Sequence, residues 1–220
     1  MGTLRRRRLH GRLAEGSLRV AKKADEVFLN VPYDHRFENL FLAYVAGLTA
    51  LGFVPRATLE IPGSDRRLEK IFALIGRCEY SIHDLSRVEL DRSAPRVPRF
   101  NMPFELGLTV ARHWKAAAHE HAWFVCESTD RRLLKSLSDL NGTDAYIHGG
   151  RADGVLRELL NMFELQGEEP SLAFLARTYQ KLRQRKSAVL QASGSITPFT
   201  MRAFRGLCLA AKETVDELAE

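Results

Sequence analysis

Short apolar runs alternate with segments of helical periodicity along the middle of this chain, and this alternation constrains the fold more than any other feature. The first run, 26–31, is closed by Pro32 and is typical of a buried strand. Segment 38–51 follows with apolar residues at helical spacing, and Gly52 comes directly after it. By the same criteria we predict further strands at 53–59, 79–83, 122–126 and 145–148, and further helices at 66–77, 102–118, 131–140 and 154–162.

This order of elements predicts an α/β fold: a doubly wound, flavodoxin-like, mostly parallel five-stranded sheet with helices on both faces. Such sheets bind ligands beyond the carboxyl ends of their strands, where the strand order reverses. We therefore expect the loops after the first, third and fourth strands to matter most. Beyond residue 166 the strands stop, and segments 171–186 and 198–220 predict C-terminal helices. These helices could pack on the domain, pair with a second copy or contact another protein.

The positive charge of the chain is concentrated near its beginning. The net charge is +6, and residues 1–23 carry eight Lys or Arg against one acid. A tail of this kind can contact nucleic acid through phosphate charges, or it can be a solvated leader without a partner. We predict three parts: a basic flexible tail (1–24), an α/β domain (25–165) and a C-terminal helical extension (166–220).

Composition and missing motifs exclude several classes of protein. Apolar residues make up 45% of the chain, which is enough for a core. The sequence has no run of about 18 apolar residues, so we predict no membrane-spanning segment. The three cysteines are far apart and lack C-x-x-C spacing, which favours a reducing, cytoplasmic location over a disulfide or zinc framework. The P-loop, G-x-G-x-x-G, G-x-S-x-G and H-E-x-x-H motifs are absent. We therefore predict no metal site and no resident cofactor.

The candidate site residues are polar side chains that follow the predicted strands. A carboxylate among them could stabilise the positive charge that develops on a sugar when an N-glycosidic bond breaks. Arginines suit phosphate groups. A glutamate and an asparagine at a helix start are equally well explained by the helix dipole and by capping. The candidates are Asn30, Tyr33, Asp34, Arg36, Arg56, Asp84, Ser86, Arg99, Asn101 and Glu105.

The chain resembles the nucleoside 2-deoxyribosyltransferase superfamily and, more distantly, bacterial Toll/interleukin-1 receptor-like domains that cleave NAD. The resemblance spans about residues 27–111 and rests on three segments: 28–34 (FLNVPYD), 84–86 (DLS) and 100–107 (FNMPFELG). It implies that Glu105 attacks or stabilises the anomeric carbon of a ribosyl group. It also implies that Asp84 holds the nucleobase or assists the leaving group, that Asn101 bonds a ribose hydroxyl, and that Tyr33 stacks on a ring or orders the pocket.

One position departs from the pattern of the deoxyribosyltransferases, which usually place an aspartate six residues before the glutamate. Here that position is Arg99. A guanidinium favours a phosphate-bearing ligand such as NAD or another nucleotide over a bare nucleoside, and Arg36 and Arg56 would act in the same way if they reach the pocket.

Three functions are consistent with this pattern. The first is an N-glycosidase or ribosyl transferase acting on NAD or a nucleotide, with a role in bacterial antiviral defence if the Toll/interleukin-1 receptor-like resemblance holds. The second is a non-catalytic nucleotide sensor that signals to a partner protein through the C-terminal helices. The third is an interaction scaffold without a small-molecule ligand, including a homo-oligomer formed through those helices.

Overall fold

A computed structural model of the protein describes residues 24–63, 66–88, 97–115, 121–140, 142–163 and 169–220. Residues 1–23 of the predicted basic tail (1–24) lie outside this range, and the role of the tail stays a prediction. The described residues form a five-stranded sheet in which every strand pairing is parallel, in the order β2-β1-β3-β4-β5. This confirms the predicted fold class. The strands are β1 (Glu26–Asn30), β2 (Val54–Ala57), β3 (Tyr80–Asp84), β4 (Ala122–Glu127) and β5 (Tyr146–Ile147).

The helices follow the strands largely as predicted. They are α1 (Glu38–Ala50), α2 (Arg67–Arg77), α3 (Asn101–Lys115), α4 (Arg132–Ser136), α5 (Ala152–Met162), α6 (Leu172–Ala192) and α7 (Met201–Ala219). The predicted helix at 131–140 is wrong in its extent, because Leu137 leaves helical backbone at φ −136° and ψ 67°, and a 3-10 turn follows. Within the described residues, none of the helices combines the length and the apolar character that crossing a membrane requires.

The two faces of the sheet are covered by different helices. Residues Val27 and Leu29 of β1 join the core formed with α1 and α5, whereas Phe28 joins the core formed with α2. This alternation is the period of two that a strand imposes on its side chains. The last four residues of β1 are buried, as expected for a parallel strand with helices on both faces.

Helix α1 is enclosed by protein on all sides. Eleven of its thirteen residues are buried, and its sequence is apolar around the whole circumference, which is typical of a helix inside a core. The sheet and α5 cover one side, and α6 and α7 cover the other. Leu182 of α6 and Phe204 of α7 belong to the same hydrophobic cluster as the residues of α1. The C-terminal helices therefore pack on the α/β domain and share its core.

A left-handed glycine ends α1 and turns the chain into β2. Gly52 has φ +84°, a conformation that costs glycine little. The amide of Gly52 donates to the carbonyl of Thr49, and the amide of Phe53 donates to the carbonyl of Leu48 at 2.9 Å. These bonds close the helix end as a C-terminal glycine motif does, which confirms the sequence prediction at this position.

Candidate functional site

The candidate site is the crevice at the carboxyl ends of β1 and β3. In the order β2-β1-β3-β4-β5, the chain moves outward from β1 in one direction to β2 and in the other to β3. The connections that follow β1 and β3 therefore diverge and leave an opening between them, which is where doubly wound sheets bind ligands. Tyr33 lies in the connection after β1, and Glu105 lies in α3, the helix after β3.

Glu105 is the most unusual ionisable group of this crevice. Only 8% of the surface of Glu105 is exposed to solvent. Burial raises the pKa of the Glu105 carboxyl from its ordinary value of 4.5 to about 7, and the guanidinium of Arg67 acts in the opposite direction. Among the described residues, no group donates a hydrogen bond to this carboxyl and no cation lies within 4 Å of it. Within the described part of the chain, Glu105 is thus a desolvated carboxyl without a partner, with a pKa raised to about 7, and such perturbed groups are common among reacting residues.

The wall beside Glu105 is made by the ends of three other elements. The hydroxyl of Tyr33 lies 3.0 Å from Oγ1 of Thr58, which directly follows β2. Arg67, in the first turn of α2, donates to the carbonyl of Ile61 at 3.0 Å and to the carbonyl of Thr58 at 3.4 Å. Burial raises the pKa of Tyr33, and the negative charge of Glu105 adds to this effect, so the phenol stays neutral. The wall therefore combines a neutral aromatic ring with a guanidinium.

Arg67 is a functional candidate that the sequence analysis missed. The predicted helix at 66–77 contained it, but nothing in the spacing of the residues singles out this arginine. The available signal was positional, because the first turn of a helix after a parallel strand lies at the ligand-binding edge of the sheet.

An ionic cluster at Asp34 occupies the connection after β1. Oδ2 of Asp34 accepts from Nη1 of Arg99 at 2.8 Å and from Nε of Arg87 at 3.3 Å, and Oδ1 accepts from the amide of Arg36 at 3.0 Å. Burial alone would raise the pKa of Asp34, but the two guanidinium groups outweigh it and hold that pKa below its ordinary value. Two arginines share one carboxylate here, so the cluster keeps a surplus of positive charge beside the crevice.

Asp84, predicted as a second catalytic carboxylate, is fully buried. Its Oδ2 accepts from the hydroxyl of Tyr44 at 2.8 Å, and its Oδ1 accepts from the amide of Ser86 at 2.9 Å. Nε2 of His148 lies 3.0 Å from Oδ2, although the ring N–H does not point at that oxygen in hydrogen-bond geometry. The amide of Gly150 donates to Nδ1 of His148, which places the ring proton of the neutral imidazole on Nε2. Asp84 thus anchors the loops after β3 and β5, and its contact with a ligand stays a prediction.

The position of His148 is set by close packing of α5. A Cβ atom at Gly154 would lie 2.0 Å from the carbonyl oxygen of His148, which is far inside van der Waals contact. Only glycine lets the helix approach the loop this closely. The contact holds the imidazole against Asp84, and no local sequence pattern singles out His148 or Gly154.

Asn30 links the three elements that form the floor of the crevice. Its Nδ2 donates to Nδ1 of His83 at 2.8 Å and to the carbonyl of Met102 at 2.8 Å. Burial lowers the pKa of His83 to about 3, with a smaller contribution from His121, so the ring is neutral and carries its proton on Nε2. That Nε2 is buried without a hydrogen-bond partner among the described residues. Asn30 fixes the relative positions of β1, β3 and α3.

The structure brings together only part of the predicted set. The charge of Glu105 acts on the hydroxyl of Tyr33, so these two side chains lie near each other, and Asp34 pairs with Arg99 in the connection after β1. Asn101 is exposed and is itself the first residue of α3, so it lies inside the helix and not before it as a cap. Arg36 is exposed, and Ser86 is buried with its amide bound to Asp84. Arg56 lies elsewhere, in a groove along the outer edge of β2.

These contacts arise from residues that are distant in the sequence. The connection after β1 supplies the ring of Tyr33, and the segment after β2 supplies the hydroxyl of Thr58 and the guanidinium of Arg67. The helix after β3 supplies the carboxyl of Glu105, and the parallel sheet brings these groups to one edge. Comparison of the chain with protein-family models finds no match, and comparison with curated proteins finds no significant relative.

Proposed function

We propose that this protein cleaves the N-glycosidic bond of NAD or a related nucleotide in the crevice between β1 and β3. The observation that carries the proposal is Glu105, a desolvated carboxyl without a hydrogen-bond or ion-pair partner in the described part of the chain. An unpaired buried carboxylate destabilises the protein unless a ligand supplies the missing charge. The anomeric carbon of a ribosyl group supplies positive charge as its bond to nitrogen breaks.

The chemical step requires little beyond this carboxylate. The bond between C1′ and the ring nitrogen breaks, and its electron pair leaves with the base. The carboxylate of Glu105 then either forms an ester with C1′ or stabilises the oxocarbenium ion. Water adds to C1′ and loses one proton, which solvent or the released carboxylate takes up.

The surroundings of Glu105 favour a substrate whose leaving group needs no acid. Among the residues that the structure describes, burial and Arg67 account for the shifted pKa of Glu105, and no second carboxylate contributes to it. Glycosidases that protonate their leaving groups use a pair of carboxyl groups. In NAD the ring nitrogen of nicotinamide already carries a positive charge, so the departing electron pair neutralises it without a proton. The pyridinium would also favour the ionised form of Glu105.

The positive groups around the crevice suit the phosphates of such a substrate. Arg67 lies in the first turn of α2 and is exposed, so its guanidinium can reach a bound anion while keeping its backbone contacts. Arg87 and Arg99 together carry one charge more than Asp34 neutralises. Tyr33 offers a neutral ring on which a base can stack.

The test measures nicotinamide release from NAD by chromatography, with purified wild type, Glu105→Gln and Glu69→Gln. Glu69 is an exposed glutamate of α2 and serves as the matched control. We expect Glu105→Gln to lose at least about 100-fold in turnover and Glu69→Gln to keep the wild-type rate. Undiminished turnover in Glu105→Gln would show that this carboxylate is not the reacting group.

A nucleotide sensor is the second candidate, and one contact favours it. The ring of Tyr33 packs against Phe199, with centroids 5.7 Å apart, and Phe199 packs in turn against Phe41 of α1 at 5.2 Å. Phe199 lies in the connection between α6 and α7. A ligand that moves Tyr33 would therefore press on the C-terminal helices.

Hydrogen exchange distinguishes the sensor from the enzyme. A sensor leaves NAD intact while residues 193–200 change their exchange rates on binding. Saturable binding without any change in this segment would contradict signalling through Phe199. Rapid appearance of nicotinamide would instead support the enzyme.

A further inference from the structure

A second groove of about 420 Å³ lies along β2, the strand at one edge of the sheet. It is bounded by α2 on one face of the sheet and by α7 on the other, and four basic side chains line it: Arg56, Lys70, Arg77 and Arg205. They come from three elements, so the fold itself brings these charges together against their mutual repulsion. The volume falls in the range of small-molecule sites.

The single acid among the described residues that line this groove does not neutralise it. Oε2 of Glu60 pairs with Arg56 at 3.0 Å, and Oε1 accepts from the amide of Ala57 at 3.1 Å. Arg77 and Arg205 have no carboxylate within 4 Å in the described part of the chain. The described lining of the groove therefore keeps a net positive charge on Arg77 and Arg205, which an anionic ligand can offset.

The rest of the lining is apolar. Ile61, Pro62 and Leu74 lie between the basic groups, and Leu74 is almost fully buried in the core under α2. A bare inorganic ion would use the guanidinium groups and leave this apolar surface uncovered. A ligand with a flat apolar part and phosphate groups would use both, because guanidinium forks match phosphate oxygens in pairs.

We propose that this groove is a binding site for a small organic phosphate of nucleotide size, separate from the crevice at Glu105. Arg77 and Arg205 contact its phosphates from opposite sides, and Arg56, held by Glu60, forms the end of the groove nearest β2. Arg67 and Lys70 belong to the same helix, so a ligand in the groove touches the element that carries the guanidinium beside Glu105. This proposal does not depend on cleavage of NAD.

Titration calorimetry with inorganic tripolyphosphate tests the phosphate contacts without any bond that the crevice could cleave. The variants are Arg77→Ala and Arg205→Ala, and the controls are Arg202→Ala and Glu105→Gln. Arg202 lies on the same helix as Arg205 but does not line this groove. We expect each groove variant to bind roughly tenfold more weakly than wild type or worse, and both controls to bind as wild type does.

Three results would overturn the proposal. If wild type gives no binding heat with tripolyphosphate, the groove is not a phosphate-binding site. An equal loss in Arg202→Ala shows general attraction to a basic surface, and a changed affinity in Glu105→Gln places the anion in the crevice. A second titration with ATP, carried out on Glu105→Gln, tests the organic part. ATP that binds no more tightly than tripolyphosphate contradicts the assignment of the apolar lining.

Discussion

The buried carboxyl of Glu105 predicts that one substitution stabilises the protein while removing the proposed activity. In the unfolded chain this carboxyl ionises near its ordinary pKa of 4.5, and in the folded chain it stays protonated up to about 7. Between these values the folded state binds more protons than the unfolded state, so the free energy of unfolding falls as the pH rises. Below pH 4.5 this contribution is absent, and above pH 7 it is constant.

The size of the effect follows from the pKa difference. Each unit corresponds to 1.36 kcal/mol, so the ionised carboxylate costs the folded state about 3 kcal/mol at alkaline pH. Gln keeps the shape of the side chain and cannot ionise. We therefore expect Glu105→Gln to match wild type in stability near pH 4 and to exceed it by about 3 kcal/mol near pH 8, which corresponds to roughly 6–12 °C in Tm.

Urea unfolding followed by circular dichroism at several pH values measures this difference directly. Glu69→Gln, on the exposed surface of α2, should follow the wild-type curve at every pH. If the stability gap between Glu105→Gln and wild type does not change with pH, the carboxyl is not desolvated in the folded protein. A stability difference that grows with pH as expected would show that Glu105 lowers the stability of the wild-type protein, as functional residues commonly do.

Three further predictions concern the framework of the site. Tyr44→Phe removes the hydroxyl that donates to buried Asp84 and should lower the free energy of unfolding by about 1–3 kcal/mol, measured by urea unfolding; an unchanged value would mean that water replaces the hydroxyl. Gly154→Ala places a methyl group 2.0 Å from the backbone of His148 and should cost about 1–3 kcal/mol or more, visible as a lower Tm; wild-type stability would contradict the close packing. Phe204→Ala empties a fully buried position between α7 and α1 and should cost about 3–5 kcal/mol, with a loss much below 1 kcal/mol arguing that α7 does not pack there.

Periodicity was sufficient to predict the fold because each element shows it locally. The apolar run of β1, the alternation of strands and helices and the glycine after α1 are all local signals, and together they predict a parallel sheet. The helix predicted at 131–140 is wrong in its extent because the backbone leaves helical geometry at Leu137. The apolar pattern continues past this residue and so does not reveal the break. The sequence pattern of the C-terminal helices predicts that each has an apolar face, but it does not predict which part of the protein covers that face.

The site was predictable only where position along a strand fixes the direction of a side chain. Glu105 lies on the buried side of α3, one turn from its start, which the helix predicted at 102–118 implies, and its role as a site residue stays a prediction. Asp84 also follows a strand, yet its carboxylate points toward Tyr44 and His148. Which direction such a residue takes depends on partners about 40 and 64 positions away, which no local pattern reveals. Arg67 was missed for the same reason.

The enclosure of α1 has a consequence for the order in which the chain can fold during synthesis. Helix α1 is made before α6 and α7, which cover one of its sides, and the ion pair of Glu38 with Lys186 joins residues 148 positions apart. Until α7 has left the ribosome, an almost entirely apolar helix has only one covered side. We expect the nascent chain to be the form of this protein that most needs a chaperone, since contacts of such long range are slow to form.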